Sequence, residues 1–508
     1  MTKVFVSREN GRVSSLADLD ALKKRFQEMQ ILHNFSRDEN LDVIAKDVKG
    51  SDAVILAGPE QGFYDIDEGK KVINALTGAG INRNRIFSVD LSTAMHPKDV
   101  AVNTATAGLL IGLAVKNAQE RKPFEYLDSA PEQGILIIGS DPSGILLAKS
   151  LLEEGHPVSL INRGAIPASK GWWSSDYESI AGHKQFKAFP SAAIKGFSGF
   201  PGQYSVELEK SDGKSSVKCG VIAIATSSDL PYNQDIHAVF HIPLGLNKEL
   251  IPLSNGGSSC RTRYPQIFIL PAGAEREGLQ EKLKEISAAA KAFLTQKSYR
   301  HFFDVASVNE ETCGACGTCV KTCMFGASNI DMNKKVSVVD RLKCVGCGNC
   351  VTACPTGARE LKSYPAPEIF QRIHALPNAK KCTGLIFACE GSGYPTIESM
   401  ARLGMTLPEG FCTVRIRCGA HLDTQFISEA INQDFKGVAV ICCKESRCLN
   451  DVGSLDLSRR FNLYRAVMRA KGIDANLLRI ITIENGDTES CNTALTTFAK
   501  YLKGGNHE

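Results

Sequence analysis

The chain has 508 residues, enough for about three or four domains that each bury a core. Its formal net charge is only +4, so charge implies no preference for nucleic acid or for an acidic substrate. The apolar run AGLLIGLAV at 107–115 is too short to cross a bilayer, and MTKVFVSREN lacks the apolar core of a signal peptide. A cytoplasmic protein is therefore expected, meeting a membrane only through a partner.

Residues 1–128 read as an N-terminal α/β domain. VFV at 4–6, AVILAG at 53–58 and RIFSVDL at 85–91 are expected strands; LADLDALKKRFQEM at 16–29 and residues 100–119 are expected helices. No catalytic constellation stands out there, and His33 and His96 are isolated.

Residues 129–303 read as a second α/β domain of Rossmann-like, FAD type. ILIIG at 135–139 leads into the helix ILLAKSLLEEG and the strand PVSLINR, a βαβ opening. QYSVELEK and SSVKCGVIAIAT follow, joined at SDGK by a hairpin turn. QIFILPAGA at 266–274 is a further buried strand, ahead of the helix EGLQEKLKEISAAAKAFL. Residues 171–201 read as a loop-rich excursion with no assigned structure. GILIIGSDPSG resembles the opening of a dinucleotide-binding fold, with one departure: Asp141 stands where the middle glycine lets backbone approach a pyrophosphate. Asp141 is expected to cap the helix starting near Pro142. The acidic ribose-binding residue is replaced by Asn162, and Ser227 stands where a glycine is usual. The candidate FAD-type site is Gly139, Gly144, Asn162, Thr226 and Gly273, and it is expected to hold FAD weakly or not at all.

Eighteen cysteines are present, none before Cys219, and sixteen lie between Cys313 and Cys491. In a cytosolic chain such crowding argues for metal rather than disulfides. Within residues 304–364, CGACGTCVKTC sets Cys313, Cys316, Cys319 and Cys323 in the spacing C-x2-C-x2-C-x3-C. CVGCGNCVTACP repeats it with Cys344, Cys347, Cys350 and Cys354. In two-cluster ferredoxins the fourth cysteine of each run serves the other cluster. The expected sets are therefore Cys313, Cys316, Cys319 and Cys354 on one [4Fe–4S], and Cys344, Cys347, Cys350 and Cys323 on the other. Zinc ribbons are the competing reading, but zinc sites draw their four ligands from two separated pairs. Met324 follows Cys323 in place of the usual proline.

Residues 378–508 alternate strands (GLIFACE, TVRIRCGA, GVAVICC) with helices, and cysteines recur at the carboxyl ends of the strands, where α/β sheets place ligands. FACEGSG, RIRCGAHLD and GVAVICCKESRC, in that order, resemble the delta subunit of methyl-viologen-reducing hydrogenase. That resemblance implies a [2Fe–2S] cluster on Cys389, Cys418, Cys443 and Cys448, with Ser392 where the family usually has a further cysteine. Cys382, Cys412, Cys442 and Cys491 are expected to be buried free thiols, Cys491 within the polar, turn-like GDTESCN.

The whole order resembles a heterodisulfide reductase A subunit fused to a hydrogenase delta-type domain. The B subunit of quinone-interacting membrane-bound oxidoreductase has the same arrangement. The fold class implied is multidomain α/β with a two-cluster ferredoxin module. The implied function is an electron-transfer subunit of an anaerobic complex, with other oxidoreductase subunits as partners, a membrane-bound one among them. About 45 residues separate Ser227 from Ala272, too few for a nicotinamide-binding domain, so direct NAD(P)H oxidation is not expected. Two alternatives stay open: an FAD-containing, electron-splitting flavoenzyme subunit, and a scaffold whose front half docks partners.

Overall fold

The computed structural model describes residues 1–508 apart from 9–11, 33–34, 36–37, 59–66, 92–98, 167–170, 172, 226–229, 243, 245–247, 251, 253–259, 261, 263, 271–275, 380–381, 449, 451 and 505–508. His33, His96, Thr226, Ser227 and Gly273 lie outside the described residues. The chain divides into two units, Tyr126–Phe303 and the combination of Met1–Glu125 with Asp304–Glu508.

Tyr126–Phe303 is built on a five-stranded sheet in the order Ile267–Ile269, Val221–Ile224, Ile135–Ile138, Val158–Ile161, Phe186–Phe189, every pair parallel. All four residues of Ile135–Ile138 and of Val221–Ile224 are buried, as a central strand covered on both faces requires. Helices Pro142–Glu153 and Arg276–Leu294 cover one face through Leu147, Leu151, Leu283 and Ile286. The other face packs on helix Leu230–Phe240 and on an antiparallel sheet of Ala193–Phe200, Gln203–Lys210 and Gly213–Cys219. The hairpin turns at Ser211 and Asp212, with Lys210 paired to Gly213 at φ 137°. The unassigned stretch 171–201 supplies helix Ser174–Ala181 and two of these strands. The unit's first and last strands, Tyr126–Ser129 and Tyr299–Phe302, pair antiparallel, and Arg300 grips Asp128 through Nε (2.8 Å) and Nη2 (2.7 Å).

In the other unit, residues 1–125 form a parallel sheet in the order Met29–Leu32, Thr2–Ser7, Ala53–Gly58, Ile86–Asp90. The helix expected over 16–29 is shorter than its pattern. Asp18 caps a new helix, Leu19–Arg25, by accepting from the amides of Asp20 and Ala21, and Met29 already opens a strand. The apolar run at 107–115 belongs to a longer helix, Val100–Glu120, which by length and composition could cross a membrane. Its Ala107, Ile111, Ala114 and Ala118 are buried against the sheet. It also packs on helix Ala366–Ala379, with Arg121 bound to both oxygens of Glu368 (2.6 and 2.7 Å). Tyr394 donates to Asp90 at 2.8 Å. Residues 1–125 and the cysteine-rich end thus share one body.

That end carries a second parallel sheet, Phe411–Ile416, Gly384–Cys389, Gly437–Cys443, Leu478–Ile483. Helices Gly393–Arg402 and Thr488–Leu502 cover one face. Ala366–Ala379, Thr424–Asn432 and Gly453–Ala470 cover the other through Ile373, Phe426, Ile427, Leu457 and Phe461. Between the two α/β parts lie the small hairpin Ser328–Asp331/Val336–Val339 and the pair Ala306–Val308/Arg359–Leu361.

Candidate metal centres

Each cysteine run is a loop closed by a short helix, Thr318–Thr322 in one and Asn349–Thr352 in the other. Both helices open on a left-handed glycine, Gly317 at φ 76° and Gly348 at φ 81°, which turns the loop back around its thiols. The fourth cysteine follows the helix: Cys323 caps the first, and Cys354 lies beyond the second. Two cavities result. One is walled by Cys313, Cys316, Cys319 and Cys354 with Ser337 and Arg359. The other is walled by Cys323, Cys344, Cys347 and Cys350 with Met324 and Ser328. The fourth thiol of each run has crossed to the other run's cavity.

Backbone amides aim at the sulfurs. Ser337 N–H donates to Cys313 Sγ and Ala327 N–H to Cys323 Sγ, each at 3.3 Å. Thr318 holds the exposed Cys316 thiol below its ordinary range through its hydroxyl and amide. Burial raises the Cys344 thiol and pushes Cys350 up to about 12. Thiols of that kind lose their protons at neutral pH only to a bound metal.

The third group lies at the carboxyl edge of the C-terminal sheet. Cys389 and Cys443 end adjacent strands, with their sulfurs 3.8 Å apart. Cys418 follows Phe411–Ile416, and Cys448 follows the turn Glu445–Arg447. All four are buried. The Cys443 thiol and the amides of Gly393 and Ser392 donate to Cys389 and hold it down at about 6. Cys448 is lowered by its bonds from Cys418 and Cys443, which are raised correspondingly. Two helices, Gly393–Arg402 and Gly453–Ala470, start at this group, so their positive ends face the thiols. Ser392, in place of a further cysteine, sets its hydroxyl 3.8 Å from Cys389 Sγ.

Among the described residues, no three His, Cys, Asp or Glu side chains converge on a point suited to a single metal ion. The cysteine runs surround spaces, each walled by four thiols.

The second cavity and the third group share a wall. Ala420, Asn450, Val452 and Gly453 line that cavity. A Cβ on Gly453 would lie 2.5 Å from Cys418 Sγ and 3.2 Å from Cys448 Sγ. Arg460 ties the two modules, donating to Thr352 Oγ1 at 2.7 Å and to Ala420 O at 2.8 Å. Half-buried Glu390, beside Cys389, accepts from Tyr364 (2.5 Å), Arg415 and Arg417 (2.7 Å). Arg417 also reaches Gly346 O at 3.3 Å, inside the second run. Burial pushes the Glu390 carboxyl up, but Arg415, Arg417 and Tyr364 outweigh it and hold it at about 2.

The other cysteines depart from expectation in two places. Cys382 and Cys412 are joined in a disulfide, with Cα atoms 6.1 Å apart, near the amino ends of neighbouring strands. Cys491 is not in a turn. Asp487 caps a helix there by accepting from Ser490 N–H, which carries Cys491 into the core on the sheet's other face. Cys442 is fully buried, and its thiol bonds to Ser454.

At the FAD-type site, Gly139 has φ 102°, and a Cβ on Gly144 would lie 2.6 Å from Gly139 O. Asp141 is buried at the N-cap position of Pro142–Glu153, but its carboxylate bonds none of the first-turn amides, contrary to the expected cap. Its ψ of 161° leaves the backbone extended there. Asn162 is also committed locally, donating to Ala165 O at 2.6 Å.

Comparison with known proteins follows this layout. Residues 385–504 match the family of the methyl-viologen-reducing hydrogenase delta subunit, and 337–360 match the 4Fe-4S binding domain. The A subunit of the ferredoxin:CoB-CoM heterodisulfide reductase of Methanosarcina mazei is 30% identical over 200 residues, 39% of this chain and 25% of that protein. The iron-sulfur D subunit of the F420-non-reducing hydrogenase of Archaeoglobus profundus is 25% identical over 111 residues, 22% of this chain and 81% of that protein. The match to the reductase protein thus spans about a quarter of that relative's length. A flavoprotein/dehydrogenase from Cytophaga hutchinsonii is 13% identical with a TM-score of 0.18, covering 22% of this chain and 42% of that one.

Proposed function

We propose that this chain, similar in part to a heterodisulfide reductase A subunit and ending in a hydrogenase delta-type segment, relays electrons within a multi-subunit oxidoreductase. Its own residues supply two [4Fe–4S] seats and one [2Fe–2S] seat. The observation that carries this reading is the crossing of Cys323 and Cys354 between the two cysteine-walled cavities. Clusters held there and at Cys389, Cys418, Cys443 and Cys448 would supply one-electron chemistry. Gly453 would be the barrier crossed between the third group and the nearer cubane seat, and the Cys313 set would lie at the far end. Partner subunits would be electron donor and acceptor, and an anaerobic, cytoplasmic setting fits such clusters.

Anoxically purified protein should then carry roughly ten iron atoms per chain. Cys347→Ser should remove one cubane signal in electron paramagnetic resonance and leave the others. Tightly bound zinc with little iron would refute the reading.

A flavin-bearing alternative is favoured by one observation. The glycine turn after Ile135–Ile138 lies where the strand order reverses, beside Val221–Ile224, and the following helix has no side-chain cap. Against it stand the Asp141 carboxylate and the committed Asn162 amide.

A further inference from the structure

Arg359 opens strand Arg359–Leu361 and is 4% exposed. Its Nη2 donates to Ser328 Oγ at 3.2 Å and to Ser337 Oγ. Ser337 in turn contacts Cys319 Sγ through its hydroxyl at 3.1 Å and Cys313 Sγ through its amide at 3.3 Å. Nε and Nη1 are buried with no hydrogen-bond partner, and among the described residues no carboxylate pairs with this guanidinium. A permanent cation enclosed without a counter-charge is a costly arrangement. The side chain lines the cavity of Cys313, Cys316, Cys319 and Cys354. It binds Ser328 of the other cavity's wall, and its charge reaches Cys350 in that wall.

We infer that Arg359 is the built-in counter-ion of the two cubane seats and sets their reduction potentials. This rests on the cluster reading above. Four thiolates around a cubane carry net negative charge, and reduction adds one electron more. A fixed cation between two such seats favours the reduced state of each. The electron comes from a partner reductant; Arg359 is neither oxidised nor deprotonated. Arg359 is thus a positioning residue for charge, and the unbonded Nε and Nη1 donors are left for cluster or cysteine sulfur.

The test is a redox titration of the anoxically purified full chain, followed by electron paramagnetic resonance, with Arg359→Gln, Arg359→Met and Arg359→Lys. Gln and Met at full iron content should lower at least one cubane potential, cutting the reduced-to-oxidised ratio at fixed poise about tenfold or more, which is about 59 mV for one electron. Lys should restore most of it. Unchanged potentials in iron-replete Gln or Met protein would overturn the inference, as would a Lys variant that shifts as far as Gln. If Gln and Met lose iron while Lys keeps it, the charge requirement stands; loss in all three marks Arg359 as a packing residue and overturns it. Wild-type protein without cubane signals would instead refute the cluster reading itself.

Discussion

Gly453 has no unusual backbone angle; what it supplies is the lack of a side chain. The single methyl of Gly453→Ala would press on the sulfurs of both Cys418 and Cys448. Overpacking of this kind costs about 1–3 kcal/mol and moves the groups it touches. The expected result is a severalfold loss of the [2Fe–2S] signal with both cubane signals retained, read by electron paramagnetic resonance against iron content. Residues of this class are hard to read from sequence. The eight cysteines of the two runs declare themselves by spacing, because three at intervals of three line one cavity and the fourth, four residues on, lines the other. Gly453 and Arg359 matter through contacts made across the fold, and nothing beside them in the chain marks them. Cys491 misled for a related reason: GDTESCN is polar, yet Asp487 uses that polarity to start a helix.

At the scale of elements, the fully buried strands were the easiest to recognise, since runs such as AVILAG, ILIIG and GVAVICC are apolar on both faces. Short strands outside such runs were not: Met29–Leu32 and Phe186–Phe189 are edge strands set by pairing rather than by pattern. The helix Pro142–Glu153 carries a prediction of its own. Its N-terminus carries no side-chain cap among the described residues, and Asp141 places a carboxylate beside that positive end. Asp141→Gly removes the Cβ and the charge together. It should tighten FAD binding to the isolated chain by roughly tenfold, about 1.4 kcal/mol, measured by quenching of flavin fluorescence. Stoichiometric FAD released by acid from the wild-type chain would contradict this.

At the scale of the molecule, chain order places residues 1–303 together ahead of the cysteine-rich end. The packing divides the chain differently. Residues 1–125 are bound to the cysteine-rich end through Arg121–Glu368, Tyr394–Asp90 and the contact between Val100–Glu120 and Ala366–Ala379. A deletion of 1–300 would strip that surface and should leave a chain that aggregates. Tyr126–Phe303 forms a compact unit of its own, and its two ends lie side by side, because Tyr126 is the register partner of Phe302. This makes it a removable cassette at the level of the gene. Codons 126–303 can be exchanged for a short glycine-serine bridge joining Glu125 to Asp304. The shortened protein should fold, keep its full iron complement and unfold cooperatively in circular dichroism; iron loss would mean that the cassette is needed to build the seats. Antiparallel pairing of entry and exit strands also means that another domain with adjacent termini could be spliced there. The cysteine-rich end could then be joined to a different domain without any change to the cysteines from Cys313 onward.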